Sequence, residues 1–485
     1  MSSIAAPGRP SWLERHFRFS ENGTTLGRDT AAGATTFIVM SYIIFVNPAI
    51  LNLGGDGLPI PAVVASTCLV AGVMTILMGL VTNRAYAIAP GLGINAIVAF
   101  SLVAGAGLGF PEAMGIIVME GALVTLLVLL GMREKIMHAI PLELKKAIAI
   151  GIGLFIAFIG LYDGGIVRVG ANPPPVELTP LTTWPAFVFF VTLTIMVVLR
   201  ALRFRGDLLV GIVVGTLLAV IINKATDYEA FGQAARWPSD IAQRPDFSLL
   251  GEFSFDSFAT IGVVTTLAWV FSLFLADFFD TMGTLVGVGK QAGYLNEKGE
   301  LPGIRRPLLV DSVAAMAGGA ASASSATTYI ESGAGVGAGG RTGWVSVVTG
   351  ALFFPFLFFA PLIGMVPFQA TGPALVLVGW LMITTLTEAE GVAEHEAEGE
   401  GESQRKIAGI DFTTLAIGFS AALIIMLMPF TFSITNGIGF GFIAYVVIRI
   451  AQGEWRKVHP LMAAAAAFFL LYFLIPVMQD NFGWI

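Results

Sequence analysis

The sequence predicts an all-α polytopic membrane protein. It has fourteen transmembrane segments in two inverted sets of seven (7+7 repeats), with short strands and half-helices in segments 3 and 10. Three observations carry this. Of 485 residues, 56% are hydrophobic and 12% charged, where a soluble domain has about 25% charge. The apolar runs are continuous rather than alternating, which fits helices and not a barrel. Two runs, 85–104 and 326–340, are short, glycine-rich and broken, and each falls third in its set.

The remaining segments have about the 20 residues a bilayer-crossing helix needs. They lie near 30–51, 61–82, 112–131, 143–161, 183–201 and 207–224, then 259–287, 306–321, 342–363, 371–386, 411–429 and 434–451. An apolar stretch at 460–477 is either a further span or an interfacial helix. Residues 1–27 are polar, with an amphipathic patch at 12–19 that suits the membrane surface. No cleavable signal peptide is evident, and the run from Ala31 suits an uncleaved anchor. Residues 226–256 read as an extracellular loop. Residues 387–406 read as an acidic cytoplasmic linker, with seven glutamates from Glu388 to Glu402.

The basic residues test this topology. With the N-terminus in the cytoplasm, 22 of the 26 Lys and Arg fall inside. Only Arg168, Lys224, Arg236 and Arg244 fall outside, as the positive-inside rule requires. Seven segments per set is an odd number, so the second set enters from the opposite face. Paired interrupted segments are the sequence sign of an inverted repeat with a site at their junction.

Composition also excludes chemistry. Cys68 is the one cysteine, so there is no intrachain disulfide and no cysteine metal site. His16, His138, His395 and His459 all lie outside the apolar spans. No H-E-x-x-H or supported G-x-S-x-G motif points to an enzyme, and no cofactor or metal is expected. The chain is expected to carry a small polar solute.

Ionisable groups at membrane depth are costly and mark function. They are Glu120, Asp277, Asp280, Asp311 and Glu331, with no mid-span Lys or Arg to pair with them. An all-acidic set suits cations, protons or neutral solutes with N–H donors. Glu331 precedes a glycine-rich half-helix at 332–339, after a short extended segment, and is a candidate solute acceptor. The matching Tyr86-Ala87-Ile88-Ala89 precedes Pro90, which suits a first helical turn. Two half-helix N-termini then face each other, offering free N–H groups around Ala89, Gly91, Thr328 and Ser332. Asp277 and Asp280 stand three apart, on one helical face, and are candidates for the solute or a proton. Asn95 is a candidate to orient the solute, or a helix–helix hydrogen bonder. Phe278 and Tyr329 are candidate stacking surfaces for a flat ring. Glu120 and Asp311 read as structural hydrogen bonders or proton-path residues.

The same residues resemble the AzgA-like purine permeases, a branch of the nucleobase–cation symporters with the uracil-permease fold. The likeness runs through Ala34–Pro48, Ala89-Pro90-Gly91-Leu92-Gly93-Ile94-Asn95-Ala96, Asp277-Phe278-Phe279-Asp280-Thr281-Met282-Gly283-Thr284, Thr328-Tyr329-Ile330-Glu331-Ser332 and Gly339–Gly343. It implies a core domain (28–135 and 257–364) and a gate domain (136–225 and 365–455), followed by a C-terminal apolar segment (456–485); the stretch 460–477 and the acidic loop 387–402 depart from the simplest fourteen-span pattern. It implies that a purine base (hypoxanthine, guanine, adenine or xanthine) lies between segments 3 and 10, with Asn95, Asp277 and Glu331 functional. Proton symport, with Asp277, Glu331 and Asp280 as the coupling candidates, an elevator-like motion and a homodimer in the cell membrane are also implied; no nucleic acid partner is. An anion transporter of the same fold and an uncoupled channel are the alternatives.

Overall fold

The protein is described here from a computed structural model covering residues 11–131, 139–170, 176–232, 234–296, 301–388, 406–407 and 409–482. The acidic stretch 389–405 lies outside the described residues. Among them, eight helices are long and apolar enough to cross a bilayer, from Leu26–Gly55 to Ile434–Ala451. Shorter apolar helices include Leu92–Gly105, Phe368–Thr384 and Leu415–Phe430.

Two expected spans are interrupted. The first divides into Leu26–Met40 and Ile43–Asn52. Amides 44 and 45 bond back only three residues, to the carbonyls of Ser41 and Tyr42, and Pro48 supplies no donor for the Ile44 carbonyl. Tyr42 sits at this break. The run 342–363 was expected as one span, but it forms Trp344–Ala351, a 3₁₀ turn at Phe354–Phe358 and a short helix at Ala360–Gly364. Pro355 and Pro361 each open a new piece, because neither can continue the ladder before it. Residues 460–477 belong to one helix, Pro460–Phe482; Phe469 on it meets Phe271 and Phe442. Between Leu142–Asp163 and Trp184–Ala201, Val167–Val169 pairs antiparallel with Val176–Leu178.

The helices pack as two groups. In one, Leu142–Asp163 lies mainly against Phe368–Glu388 and Leu415–Phe430. In the other, Ile60–Thr82 lies against Trp344–Ala351 and Arg305–Ala320, which itself packs on Phe110–Leu129. Each group contains a crossing built on glycines seven residues apart. A Cβ on Gly379 would stand 2.3 Å from the Gly153 carbonyl oxygen, and one on Gly372 would stand 2.6 Å from that of Gly160. In the second group, a Cβ on Gly343 would meet the Gly79 oxygen at 2.1 Å, and one on Gly350 would meet that of Gly72 at 2.5 Å. In lipid there is little hydrophobic drive between helices, so this close backbone approach supplies the packing.

Strand Ile88–Pro90 pairs antiparallel with Ala326–Thr328, matching Ile88 with Thr328, Ala89 with Thr327 and Pro90 with Ala326. The ladder extends through Gly91 N–H to the Ser325 carbonyl (2.8 Å) and Tyr329 N–H to the Ala87 carbonyl (2.9 Å). Each strand thereby satisfies backbone groups that lipid-depth burial would otherwise penalise. The first strand leads into Leu92–Ala96, continued as a π-helix to Gly105. The second leads into Ser332–Gly337, less than two turns long.

Candidate functional site

The two strands and the segments after them form one wall of a cleft. Its lining includes Gly91, Leu92 and Gly93 from the first half, and Thr327 to Glu331 from the second. Tyr42 contributes from the broken first span, and Asp280, Gly283, Thr284 and Gly287 from helix Val263–Gln291. The opposite wall is apolar: Ala149 on Leu142–Asp163, with Val378, Leu381 and Met382 on Phe368–Glu388. The cleft therefore lies between the two packing groups. Its empty space, open mouth included, is about 940 Å³.

Glu331 stands at the N-cap of Ser332–Gly337 and lines the cleft. Its Oε1 accepts the Tyr42 hydroxyl at 2.7 Å. An ionised carboxylate accepts several donors, so this bond leaves capacity for others. Asp280 also lines the cleft and is exposed into it. Tyr329 lines it as well, while its hydroxyl donates to the Pro90 carbonyl and holds the strand ends together.

Of the other predicted residues, Gly91 and Thr328 also line the cleft, and the rest stand behind it. The Ser332 hydroxyl donates to the Tyr329 carbonyl (2.6 Å) and accepts the Ala87 N–H (2.9 Å), bracing the two segments. Thr328 lines the cleft, yet its N–H and hydroxyl both donate to Asp311 Oδ1, at 2.7 and 2.6 Å. Asp311 Oδ2 accepts the Thr281 hydroxyl at 2.7 Å, so Asp311 anchors the second strand. Ala89 is buried in the ladder. Gly91 is needed for close approach, since a Cβ there would stand 2.9 Å from Thr327 Cγ2. Phe278 is buried beside Phe274, with ring centroids 5.5 Å apart, and is not among the cleft lining.

Asp277 and Asp280 share a helix but face different surroundings. Asp277 is 1% exposed and outside the lining, and neither of its oxygens meets a donor. Its charged neighbours are Glu120, Asp311 and Asp280. Asn95 is fully buried, with no partner on either amide atom. Sequence reasoning passed over Tyr42 as a site residue. The available signal was a phenol inside an apolar run, since a buried tyrosine hydroxyl usually finds a partner.

Solved structures with this fold include the transmembrane domain of the cyanobacterial bicarbonate transporter BicA, with TM-score 0.54 and 15% identity over 90% of this chain and 98% of that one. SLC26A9 gives TM-score 0.61 and 11% identity over 91% of this chain and 67% of that one. At such identities the likeness shows the fold alone. By sequence, the chain is 36% identical to the adenine permease AdeP of Escherichia coli (strain K12) over 460 residues, covering 95% of each. It is 35% identical to the guanine/hypoxanthine permease PbuO of Bacillus subtilis (strain 168), over 95% of this chain and all of that one. The Permease family model (Xan_ur_permease) matches residues 28–393. With three quarters of the sequence inside that match and relatives of this identity along nearly its whole length, the chain is a membrane transporter, not an enzyme, and belongs to the Permease family.

Proposed function

We propose that the chain is a secondary active carrier that imports purine bases by proton symport. The observation that carries this reading is the Glu331 carboxyl, held by Tyr42 at the junction of two interrupted segments and facing a cleft whose far wall is apolar. A purine is flat and neutral, with ring N–H donors and several acceptors. Glu331 and Asp280 accept from its N–H groups, Thr327 and Thr328 stand in the same lining, and Tyr329 together with the apolar wall takes the ring faces. The names of the relatives, adenine and guanine/hypoxanthine permeases, support the same substrate class. Asn95 and Asp277 complete the proposed machinery from behind the lining, the first toward the solute and the second toward the proton.

In this reading the fourteen segments form two inverted sets of seven. The group carrying the strands is the core (28–135 and 257–364), and the group carrying the apolar wall is the gate (136–225 and 365–455). The core moves against the gate like an elevator, in a homodimer within the cell membrane, with the N-terminus in the cytoplasm. The separation of the cleft into a polar and an apolar wall supports this division.

A second reading follows from the solved structures, one of which is named a bicarbonate transporter and another an anion transporter. Two carboxyl groups in the lining weigh against an anionic solute. Counterflow of radiolabelled hypoxanthine, guanine, adenine and xanthine in proteoliposomes tests the proposal. Saturable exchange with at least one base is expected. Exchange of bicarbonate or chloride with none of the purines would overturn it.

A further inference from the structure

Behind the strand pair, three helices each bring a carboxyl group to one buried place: Glu120 from Phe110–Leu129, Asp277 from Val263–Gln291 and Asp311 from Arg305–Ala320. Each is at most 1% exposed, and none lines the cleft. Their surroundings differ. Asp311 receives three donors, from Thr328 N–H, the Thr328 hydroxyl and the Thr281 hydroxyl. Three donors occupy most of the roughly four acceptor sites of a carboxylate.

Asp277 receives no donor on either oxygen, and Glu120 receives none on Oε1. Glu120 Oε2 has a long contact, 3.5 Å, from the Ser325 hydroxyl. Among the charged groups around Asp277, Glu120 acts on it most strongly. The groups facing this pair are themselves acidic: Asp311 faces both, and Asp280 faces Asp277. Among the described residues, no lysine or arginine bonds to either carboxyl. Among the described residues, no group of three or more His, Cys, Asp or Glu is disposed to hold a metal ion.

Two neighbouring buried carboxyl groups, with empty oxygens and no paired cation, have one economical arrangement. One carries a proton and donates its O–H to the other. We propose that Glu120 and Asp277 form a shared-proton dyad that holds the coupled proton behind the cleft, and that Thr327 is the positioning residue between dyad and solute. This rests on the proton-symport reading above.

Thr327 is suited to that place. It lines the cleft, its backbone belongs to the strand ladder, and its hydroxyl lies 2.6 Å from that of Thr281. The same hydroxyl stands beside the Asp277 carboxyl. A solute pressing on the strand therefore moves a group that neighbours the dyad. The bookkeeping is one proton. It arrives from water as H⁺, is held as O–H···O between the two side chains, and leaves to water on the other side. Two neighbouring bare carboxylates then remain, a state that low dielectric penalises and that favours taking up the next proton.

The test uses the full chain in proteoliposomes, with whichever radiolabelled purine the wild type exchanges. Glu120→Gln is expected to lose accumulation driven by an imposed proton gradient. It should keep purine-for-purine counterflow, and the pH dependence of that exchange should flatten. Gradient-driven accumulation with wild-type pH dependence in Glu120→Gln would overturn the dyad while leaving symport intact. A wild type indifferent to proton gradients would instead remove symport, and the dyad with it. Infrared difference spectra of the wild-type carrier give a readout that does not depend on the variant folding. A protonated-carboxyl band that persists at neutral pH and shifts on purine binding is expected, and its absence would refute the proposal. Thr327→Val should retain that band and lose its purine-induced shift.

Discussion

The Tyr42 hydroxyl and the Glu331 carboxyl lie 289 residues apart in sequence and 2.7 Å apart in the fold. The bond joins the break in the first span to the start of the second half-helix. It fixes where the carboxyl points before any solute arrives. Tyr42→Phe removes the donor and leaves the ring in place. Hydrogen bonds to charged groups contribute about 1.5–3 kcal/mol, so purine affinity should fall roughly ten- to a hundredfold. Equilibrium binding of the preferred base checks this, and unchanged affinity would show the bond to be idle.

Glu331→Gln should abolish binding or weaken it severely. An amide replaces one of the two acceptor oxygens with an NH₂ donor, which would oppose the ring N–H groups proposed to meet it. Isothermal titration against the four purines is the measurement. Wild-type affinity for all of them would remove Glu331 from the site.

Asp277→Asn should spare binding more than Glu331→Gln does, because Asp277 stands outside the cleft lining. Uptake should stop responding to a proton gradient, while exchange continues. Accumulation that still tracks pH as in the wild type would count against any coupling role for this residue.

Much of this was legible in the sequence. Long continuous apolar runs gave the helices, and the two broken glycine-rich stretches gave the crossing, because both signals are local in the chain. Glu331 stood out since a carboxyl at membrane depth needs a reason. The difference between Asp277 and Asp280 was not legible. Residues three apart share a face only loosely, and which neighbour each meets depends on helices far away in sequence. Asp311 as an anchor of Thr328, and Tyr42 as the partner of Glu331, depend likewise on tertiary contacts. The break of 342–363 was signalled by Pro355 and Pro361, but the run's uniform hydrophobicity masked it.

Asp311→Asn should destabilise the carrier rather than alter its choice of base. The carboxylate accepts three donors, two of them from the second strand, and an amide cannot accept them all. The expected loss is about 2 kcal/mol, seen as a lower unfolding temperature in detergent. Wild-type thermal stability would mean that the strand is held by other contacts.

Asp411, ahead of helix Leu415–Phe430, offers a test at the surface. Hydroxyl donation from Thr413 and Thr414, with the Thr413 N–H, holds its carboxyl down at about 2. The ordinary aspartate value is near ~3.9. A lowered value means that the contribution to stability is complete above the ordinary value and is lost as pH falls toward about 2. A titration of this side chain followed by NMR should show a midpoint well below that of a free aspartate. A midpoint at the ordinary value would contradict the hydrogen bonding.

The main-chain ladder joining Ile88–Pro90 to Ala326–Thr328 makes the polar side of the cleft a single jaw. Among the described residues lining the cleft, the polar side chains of Tyr42, Asp280, Thr284, Thr327, Thr328, Tyr329 and Glu331 belong to that jaw or its immediate supports. The facing jaw, with Ala149, Val378, Leu381 and Met382, offers grease without addresses. If the chain works as the proposed carrier, recognition falls to one surface, and the other is left smooth enough to slide past, whichever molecule is aboard.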